Sequence, residues 1–187
     1  MTSVRVLIPL ADGFEEIEVV TVADILVRAG ATVSLAAIGG ERTVRGSRGL
    51  HLVADHDFVG DEEADLVYLP GGAEGARRLG EDERVLALLR RFEASEAWIA
   101  AICAAPTVLA KAGVGGDRRM TSHPTVADEV RAHAAEYAEE SIVFDGKLVT
   151  GRGPGVALDF ALDLVGLLFG AEHAAEVRGP LMCEVVH

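Results

Sequence analysis

Residues 98–111 read WIAAICAAPTVLAK, an apolar run that passes through a cysteine into a helical pattern. The short run over 98–102 predicts a buried strand, and Pro106 stands in the first turn of the helix predicted over 104–111, where proline is tolerated. Cys103 therefore lies at a strand-to-helix turn, which is the layout of a nucleophile elbow. A buried strand joined in this way to a helix is typical of a parallel sheet covered by helices.

The same alternation of short apolar runs and helical patterns continues on both sides of this segment. Because strands separated by helices form βαβ units, we expect a single doubly wound α/β domain over residues 1–187, with a mostly parallel sheet and helices on both faces. Further strands are predicted over 4–10, 32–38 and 65–69, hairpins over 43–54 and 142–150, and helices over 15–29, 83–93, 124–137 and 154–169.

The composition restricts the partners and the compartment. The 187 residues include 30 acidic and 17 basic ones, so nucleic acid and anionic membranes, which need a basic face, are not expected partners. Two cysteines are too few for a disulfide framework or a cysteine-rich zinc site. With no bilayer-length apolar run and no secretory signal, we expect a cytoplasmic protein with free thiols.

The ligand crevice of such a sheet lies at the carboxyl ends of its strands, which brings together the loops 11–14, 70–75 and 102–106. Within them Cys103 is the candidate nucleophile, because the helix N-terminus behind it is expected to lower the pKa of the thiol. The alternative is a buried structural cysteine. Cys183 lies in the C-terminal segment without a comparable turn, and it is predicted to be a bystander.

Four other residues each have a chemical and a structural interpretation. Glu18, among apolar neighbours, is either a buried carboxyl with a raised pKa or an acid that complements the dipole of its helix. Gly72 follows a strand and either offers N–H donors to the crevice or simply makes a tight turn. His123 is a proton-transfer or a capping residue, and Arg152 is an anion contact or a surface arginine. The histidine spacing does not match a metal site.

Taken together, these segments resemble the ThiJ/PfpI (DJ-one) superfamily, and within it the branch of the parkinsonism-associated protein deglycase. Each motif is weak alone, but the motifs follow one another in the same order over almost the whole chain. The resemblance implies a flavodoxin-like fold and a homodimer. The motifs are GFEEIE at 13–18, RAG at 28–30, SR at 47–48, LPGG at 69–72 with GA at 75–76, AAICAAPT at 100–107, TSHP at 121–124, RGPG at 152–155 and PL at 180–181.

The resemblance also implies roles for individual residues. The reactive cysteine of the family falls on Cys103, its protonated glutamate partner on Glu18, and its nearby histidine on His123. The oxyanion donors fall on the backbone N–H groups of Gly72 and Ala104. Neither a cofactor nor a metal is implied.

The active-site arginines of the family fall on Arg48 and Arg152, and one of them is expected to come from across the dimer interface. The sequence departs from the family in two ways. Ala104 stands where the peptidase-like branch has a histidine after the cysteine, so proteolysis of that type is not expected. Gly46 and Val53 stand where the branch's human member has two additional cysteines, so regulation through them is not expected.

The function that the resemblance implies is a cysteine-dependent, cofactor-independent glyoxalase or protein deglycase, which converts methylglyoxal or its early protein adducts to lactate. Cys103 would add to the aldehyde, and Glu18 or His123 would move a proton between the two carbons. The alternative is an oxidative-stress sensor or redox-regulated chaperone, because an exposed reactive thiol oxidises readily to sulfinate. The expected partners are a small reactive carbonyl compound and a second copy of the chain.

Overall fold

In the computed structural model, which describes residues 3–95 and 97–183, short strands and helices alternate along the chain. The predicted domain limits, residues 1 and 187, lie outside the described residues. The strands are β1 (Arg5–Leu10), β2 (Thr32–Ala37), β3 (Thr43–Arg45), β4 (His51–Val53), β5 (His56–Asp57), β6 (Leu66–Leu69), β7 (Trp98–Ile102), β8 (Arg119–Met120), β9 (Glu136–Tyr137), β10 (Ile142–Asp145) and β11 (Leu148–Gly151). The helices are α1 (Glu16–Arg28), α2 (Ala73–Leu79), α3 (Glu83–Glu93), α4 (Pro106–Ala112), α5 (Ala127–His133), α6 (Ala157–Phe169) and α7 (Ala171–Arg178).

The central sheet has seven strands in the order β10-β11-β7-β6-β1-β2-β5. All neighbours in it are parallel except β10 and β11, which form the predicted antiparallel hairpin. Its core order, β2-β1-β6-β7-β11, is the 2-1-3-4-5 order of flavodoxin-like folds. The predicted fold class is therefore confirmed, and so is the hairpin of β3 and β4, which forms a separate two-stranded sheet.

Two apolar clusters fill the space between the sheet and the helices, one on each face. Alternate residues of β1 point to opposite faces, as the two-residue period of a strand requires. Val6 and Ile8 pack into the cluster that includes Phe160 of α6, whereas Leu7 packs into the cluster that includes Leu88 of α3. Burying a side chain of this size contributes about 1.5–3 kcal/mol, so the two clusters hold the sheet and its loops in place.

The helix predicted over 124–137 is only partly present. A 3-10 turn at Pro124–Val126 leads into α5, and Ala134 then adopts an extended conformation with ψ 148°. The chain leaves the helix because β9 pairs with β8, with Ala135 N–H donating to Arg118 O at 3.0 Å and Ala138 N–H to Met120 O at 2.8 Å. Pairing with a distant strand overrides the local helical pattern.

Two helices were not predicted from the sequence. α2 follows directly on a pair of glycines and contains Gly75, and α7 buries only Val177. Neither segment therefore has the repeated apolar face on which a sequence-based assignment depends. Within the described residues, no helix is both long enough and apolar enough to cross a membrane.

Candidate active site

The carboxyl edge of the sheet forms a cavity of about 660 Å³ that contains the elbow cysteine. Its lining includes Cys103, Gly72, Ala104, His123 and Arg48, which are five of the residues singled out from the sequence. Cys103, Ala104 and Gly72 come from loops after the adjacent strands β7 and β6, as the expected position of the crevice requires. Arg48 comes from the β3–β4 hairpin, and His123 follows β8 of the separate β8–β9 sheet.

Cys103 has a backbone conformation that few residues other than glycine adopt. Its φ is 63°, in the left-handed region, where a non-glycine residue costs on the order of 1–3 kcal/mol. Two backbone hydrogen bonds hold it there: Cys103 N–H donates to Gly151 O at 2.8 Å, and Cys103 O accepts from His123 N–H at 2.8 Å. The half-buried thiol is thus presented at the cavity by a strained turn, in agreement with the elbow predicted from the sequence.

The Glu18 carboxyl lies beside this thiol and is fully buried, with 0% of the residue exposed. Its Oε2 accepts from the N–H of Gly71 at 2.7 Å, whereas Oε1 has no hydrogen-bond partner of normal geometry. The Cys103 thiol nevertheless lies near enough to lower the pKa of Glu18 by hydrogen bonding, so we regard that contact as looser than the one to Gly71. The Tyr68 hydroxyl donates to the backbone carbonyl of Glu18 at 3.1 Å and holds this turn of α1 in place.

Burial raises the pKa of Glu18 to about 7. The Gly71 N–H and the Cys103 thiol oppose the rise in pKa, and the negative charge of Glu15 adds to it. The interpretation of Glu18 as a buried carboxyl of raised pKa therefore agrees with the structure, and a carboxyl with a pKa near neutrality is suited to accepting and returning a proton.

Two influences oppose the low pKa that the sequence predicts for Cys103. Burial and the negative charge of Glu18 raise the pKa of the thiol to about 12, although the N–H groups of Gly72 and Ala104 act in the opposite direction. The helix behind the thiol does not offset this, because α4 begins only at Pro106. The expectation from the sequence counted the helix N-terminus, whereas the burial of the thiol and a charge on Glu18 act against it.

Glu18 and Cys103 thus titrate as a coupled pair, because a charge on one opposes a charge on the other. Burial and mutual repulsion raise the pKa of both groups, so near neutral pH the pair carries at most one negative charge and shares its remaining proton between carboxylate and sulfur. Moving that proton from Cys103 to Glu18 creates a thiolate without changing the net charge of the buried pair. Such an arrangement is suited to a base beside a nucleophile.

Gly71 and Gly72 lie where the surrounding atoms leave no room for a side chain. A Cβ on Gly71 would lie 2.6 Å from Cys103 Cβ and 2.7 Å from Glu18 Oε2. Gly72 has a φ of +88°, and a Cβ there would lie 2.2 Å from Gly13 O. These glycines therefore bring their N–H groups to the carboxyl and the sulfur, which a side chain would prevent.

His123 both caps a turn and lines the cavity. Its Nδ1 accepts from Thr125 N–H at 3.3 Å and lies 2.8 Å from Thr125 Oγ1. Since Nδ1 is an acceptor, the neutral ring carries its hydrogen on Nε2. His123 can therefore donate a hydrogen bond to a ligand, and this tautomer favours it as a donor over a general base.

Two residues from the sequence analysis lie elsewhere. Arg152 is not part of the cavity lining: its Nη1 donates to Glu139 O at 2.9 Å. Cys183 lies after the 3-10 turn Gly179–Leu181, also outside the lining. Within the described residues, no group of three or more histidine, cysteine or acidic side chains is placed to hold a metal ion.

Sequence reasoning missed a small polar network at the rim of the cavity. Ser47 Oγ lies 3.1 Å from Glu15 Oε2 and 3.0 Å from Glu16 Oε2, so one hydroxyl contacts two carboxylates. The signal in the sequence was Gly46 before Ser47, because a glycine in a hairpin often marks a close approach. Its partner segment, about 30 residues earlier, could not be identified from the spacing.

Comparison with known proteins places this site in a family. A protein-family model described as "DJ-1/PfpI family" matches residues 4–167. Protein dj-1beta of Drosophila melanogaster is 40% identical over 178 residues, which are 94% of this chain and 95% of that protein. A Caenorhabditis elegans protein named glutathione-independent glyoxalase DJR-1.2 is 35% identical over 181 residues, 96% and 95% of the two chains.

The crystal structure of Drosophila melanogaster DJ-1beta has the same fold, with a TM-score of 0.94, and the match covers 98% of this chain and 100% of that one. The segment matched by the family model includes Glu18, Cys103 and His123. The resemblance seen in the sequence is confirmed, and the chain belongs to the DJ-1/PfpI family.

Proposed function

We propose that this protein is a glutathione-independent glyoxalase that converts methylglyoxal to lactate, and that it also acts on the early adducts of methylglyoxal with proteins. The observation that carries the proposal is the buried Glu18 carboxyl, whose pKa is about 7, next to a thiol on a strained elbow. The name of the Caenorhabditis elegans relative supports the reaction class. The cavity of about 660 Å³ has room for a small carbonyl compound or the end of a modified side chain.

The first step is addition of Cys103 to the aldehyde carbon. The Glu18 carboxylate takes the thiol proton as sulfur bonds to that carbon, and the carbonyl oxygen becomes an alkoxide. The alkoxide takes this proton from Glu18, which gives a hemithioacetal and regenerates the carboxylate. The N–H groups of Gly72 and Ala104, which already point toward the sulfur, stabilise the alkoxide.

The second step is a proton shift between the two carbons of the substrate. Glu18 removes the proton of the former aldehyde carbon and returns it to the neighbouring carbon by way of an enediolate. The hydroxyl proton passes to the former ketone oxygen at the same time, which leaves a thioester. His123, with its hydrogen on Nε2, donates to the ketone oxygen during this shift. Water then hydrolyses the thioester, which releases lactate and the thiol, so the net change is the addition of one water molecule.

Glu18→Gln should reduce lactate production by about 10²–10⁴-fold. Glutamine keeps an oxygen for the Gly71 N–H but cannot accept the thiol proton. The measurement is lactate formed from methylglyoxal by purified protein without glutathione or added metal. Glu172→Gln, a change to an exposed acid on α7, is the control and should retain full turnover. Full turnover by Glu18→Gln would exclude Glu18 as the base and leave His123 as the better candidate.

The alkylation of Cys103 by iodoacetamide should depend on pH through Glu18. In a Cys183→Ser background, we expect a rise in rate centred near pH 7, where the Glu18 carboxylate forms, and a second rise at strongly alkaline pH. Glu18→Gln should lose the lower step. A single step near the ~8.5 of a free thiol in both proteins would show that the two groups are not coupled.

A sensor role is the second candidate. The observation in its favour is that Cys103 is a free, half-buried thiol next to N–H donors that would also stabilise a sulfinate. Such a protein would add two oxygens to Cys103 in dilute peroxide and form no lactate from methylglyoxal, and its oxidation could switch a chaperone surface. The lactate assay therefore separates the two candidates.

We further propose that the protein is a homodimer. Helix α1 exposes Ile17 and Val20, which are 54% and 50% exposed and three residues apart on one face. The β3–β4 hairpin exposes Leu50 and Val53 at 63% and 69%, and the N–H of Leu50 reaches Glu16 at the start of α1. The two exposed groups thus adjoin and form an apolar surface suited to a second copy.

Val20→Glu should convert the dimer to monomer at low micromolar concentration, because it places a charge in the apolar interface. Sedimentation velocity measures the change directly. Val59→Glu is the matched control, since Val59 is 61% exposed but lies outside α1 and the hairpin. A wild-type monomer, or equal effects of both variants, would contradict the proposed interface.

A further inference from the structure

The rim of the cavity is built from two segments that are far apart in sequence. We call residues Gly46 to Gly49, which connect β3 to β4, the 46–49 turn. Ser47 N–H in this turn donates to Phe14 O at 2.8 Å, and Gly13 N–H donates to Arg45 O at 2.7 Å. The turn is therefore attached to the loop between β1 and α1.

Glu16, the first residue of α1, adds hydrogen bonds from a charged side chain to this attachment. Its Oε1 accepts from Arg48 N–H at 2.6 Å and, more weakly, from Leu50 N–H at 3.4 Å, and its Oε2 accepts from Ser47 Oγ at 3.0 Å. The residue is only 5% exposed. An acid that merely complemented a helix dipole would be solvated and would not accept from three residues of another segment.

The Glu16 carboxyl stays charged despite its burial. Burial alone would raise its pKa, but hydrogen bonds from its own N–H, from Arg48 N–H, from the Ser47 hydroxyl and from Leu50 N–H lower the pKa below its usual value. Charged acceptors form the stronger hydrogen bonds. The carboxylate therefore holds the 46–49 turn throughout the neutral range.

Gly46 makes room for this contact. A Cβ at position 46 would lie 2.4 Å from both Cδ and Oε1 of Glu16. Real Cβ atoms do not approach so closely, so any side chain at this position would displace the carboxyl from the turn.

Arg48 belongs to the 46–49 turn and lines the cavity together with Cys103. None of the ion pairs found among the described residues includes Arg48. Within the described residues of one protomer its guanidinium therefore forms no ion pair, and the position of the 46–49 turn decides where the backbone carries that positive charge.

We propose that Glu16 is a positioning residue: through the 46–49 turn it places the Arg48 guanidinium at the cavity, where it attracts anionic ligands toward Cys103. Glu16 itself touches no ligand. The inference rests on the proposed function in taking Cys103 as the reacting group, and on the resemblance in taking Arg48 as an active-site arginine. It adds that Glu16 decides the position of this arginine, and with it the preference for ligands that carry a carboxylate or a similar anionic group.

The test compares two alkylating reagents at Cys103, because it does not require turnover. Iodoacetate is an anion and iodoacetamide is neutral, so the ratio of their rates at one pH reports the local positive charge. Arg48→Ala should lower that ratio on the order of tenfold at low salt. Glu16→Ala should lower it to a similar extent, and the double variant should show no further loss. Glu16→Gln should keep most of the ratio, since its amide oxygen still accepts from Arg48 N–H.

Glu172→Ala removes the same charge from α7 and should leave the ratio unchanged. If Glu16→Ala does not fold, Gly46→Ala provides a second route, because its Cβ displaces the same carboxyl and should lower the ratio as well. An unchanged ratio in Glu16→Ala or Gly46→Ala, with a lowered one in Arg48→Ala, would overturn the positioning role. An unchanged ratio in Arg48→Ala would overturn the preference for anions. Loss of lactate production in Glu18→Gln tests the proposed function separately.

Discussion

Cys103→Ser should lower the production of lactate from methylglyoxal by at least about 10³-fold while the fold is retained. Serine is close to cysteine in size and fits the strained turn, but its hydroxyl is far less acidic than a thiol. A carboxylate with a pKa of about 7 takes a proton from a thiol far more readily than from an alcohol, so Glu18 is poorly matched to a serine nucleophile. The measurement is the steady-state rate of lactate formation, with the melting temperature as the check on folding.

Cys183→Ser is the matched control, because it removes the second free thiol without touching the cavity. It should keep the wild-type rate. If Cys103→Ser retained turnover and Cys183→Ser lost it, the assignment of the nucleophile would be wrong. If both variants retained turnover, the reaction would not proceed through a cysteine.

The free energy of unfolding should fall by about 3 kcal/mol, relative to Glu18→Gln, as the pH rises from 4.5 to 7. The folded state raises the pKa of Glu18 from 4.5 to about 7. At a pH between these two values the unfolded chain loses a proton that the folded chain keeps, so ionisation favours unfolding. The stabilisation is complete below pH 4.5, is lost progressively up to pH 7, and stays lost above it.

Urea denaturation of both proteins at several pH values measures this difference. Glu18→Gln cannot ionise, so the two stability curves should diverge through the stated window and then run parallel. Glu172→Gln, which removes an exposed acid, should follow the wild-type curve throughout. Curves for wild type and Glu18→Gln that ran parallel from pH 4.5 to pH 8 would show that Glu18 ionises normally in the folded protein.

The parts of the site that lie within one segment could be predicted from the sequence. The strand before Cys103 and the helix after it are local patterns, and they were enough to place the thiol at a turn. The glycines before α2 were noticed for the same reason, because a glycine pair after a strand is a local signal. The fold class followed from the alternation of apolar runs, which needs no knowledge of distant contacts.

The electrostatics of the site could not be predicted in this way. The thiol pKa depends on the charge of Glu18, 85 residues earlier in the chain, and the sequence does not state the distance between the two groups. The hydrogen position on His123 depends on the conformation of the following turn. Arg152 lies next to β11, at the expected edge, yet its guanidinium turns to a backbone carbonyl, which only the coordinates reveal.

Two walls of the cavity belong to two separate sheets, so one wall can change its substrate contacts without the other. Cys103, Glu18 and Gly72 are anchored to central strands and to a helix packed on them, whereas one wall belongs to the small β3–β4 sheet outside the main one. Val44 of that outer sheet packs into the main core, but Thr43, Arg45 and His51 are exposed, so substitutions at these exposed positions are tolerated more easily than changes at the nucleophile. Under the proposed function, directed evolution for a new aldehyde would therefore start most productively at these exposed positions.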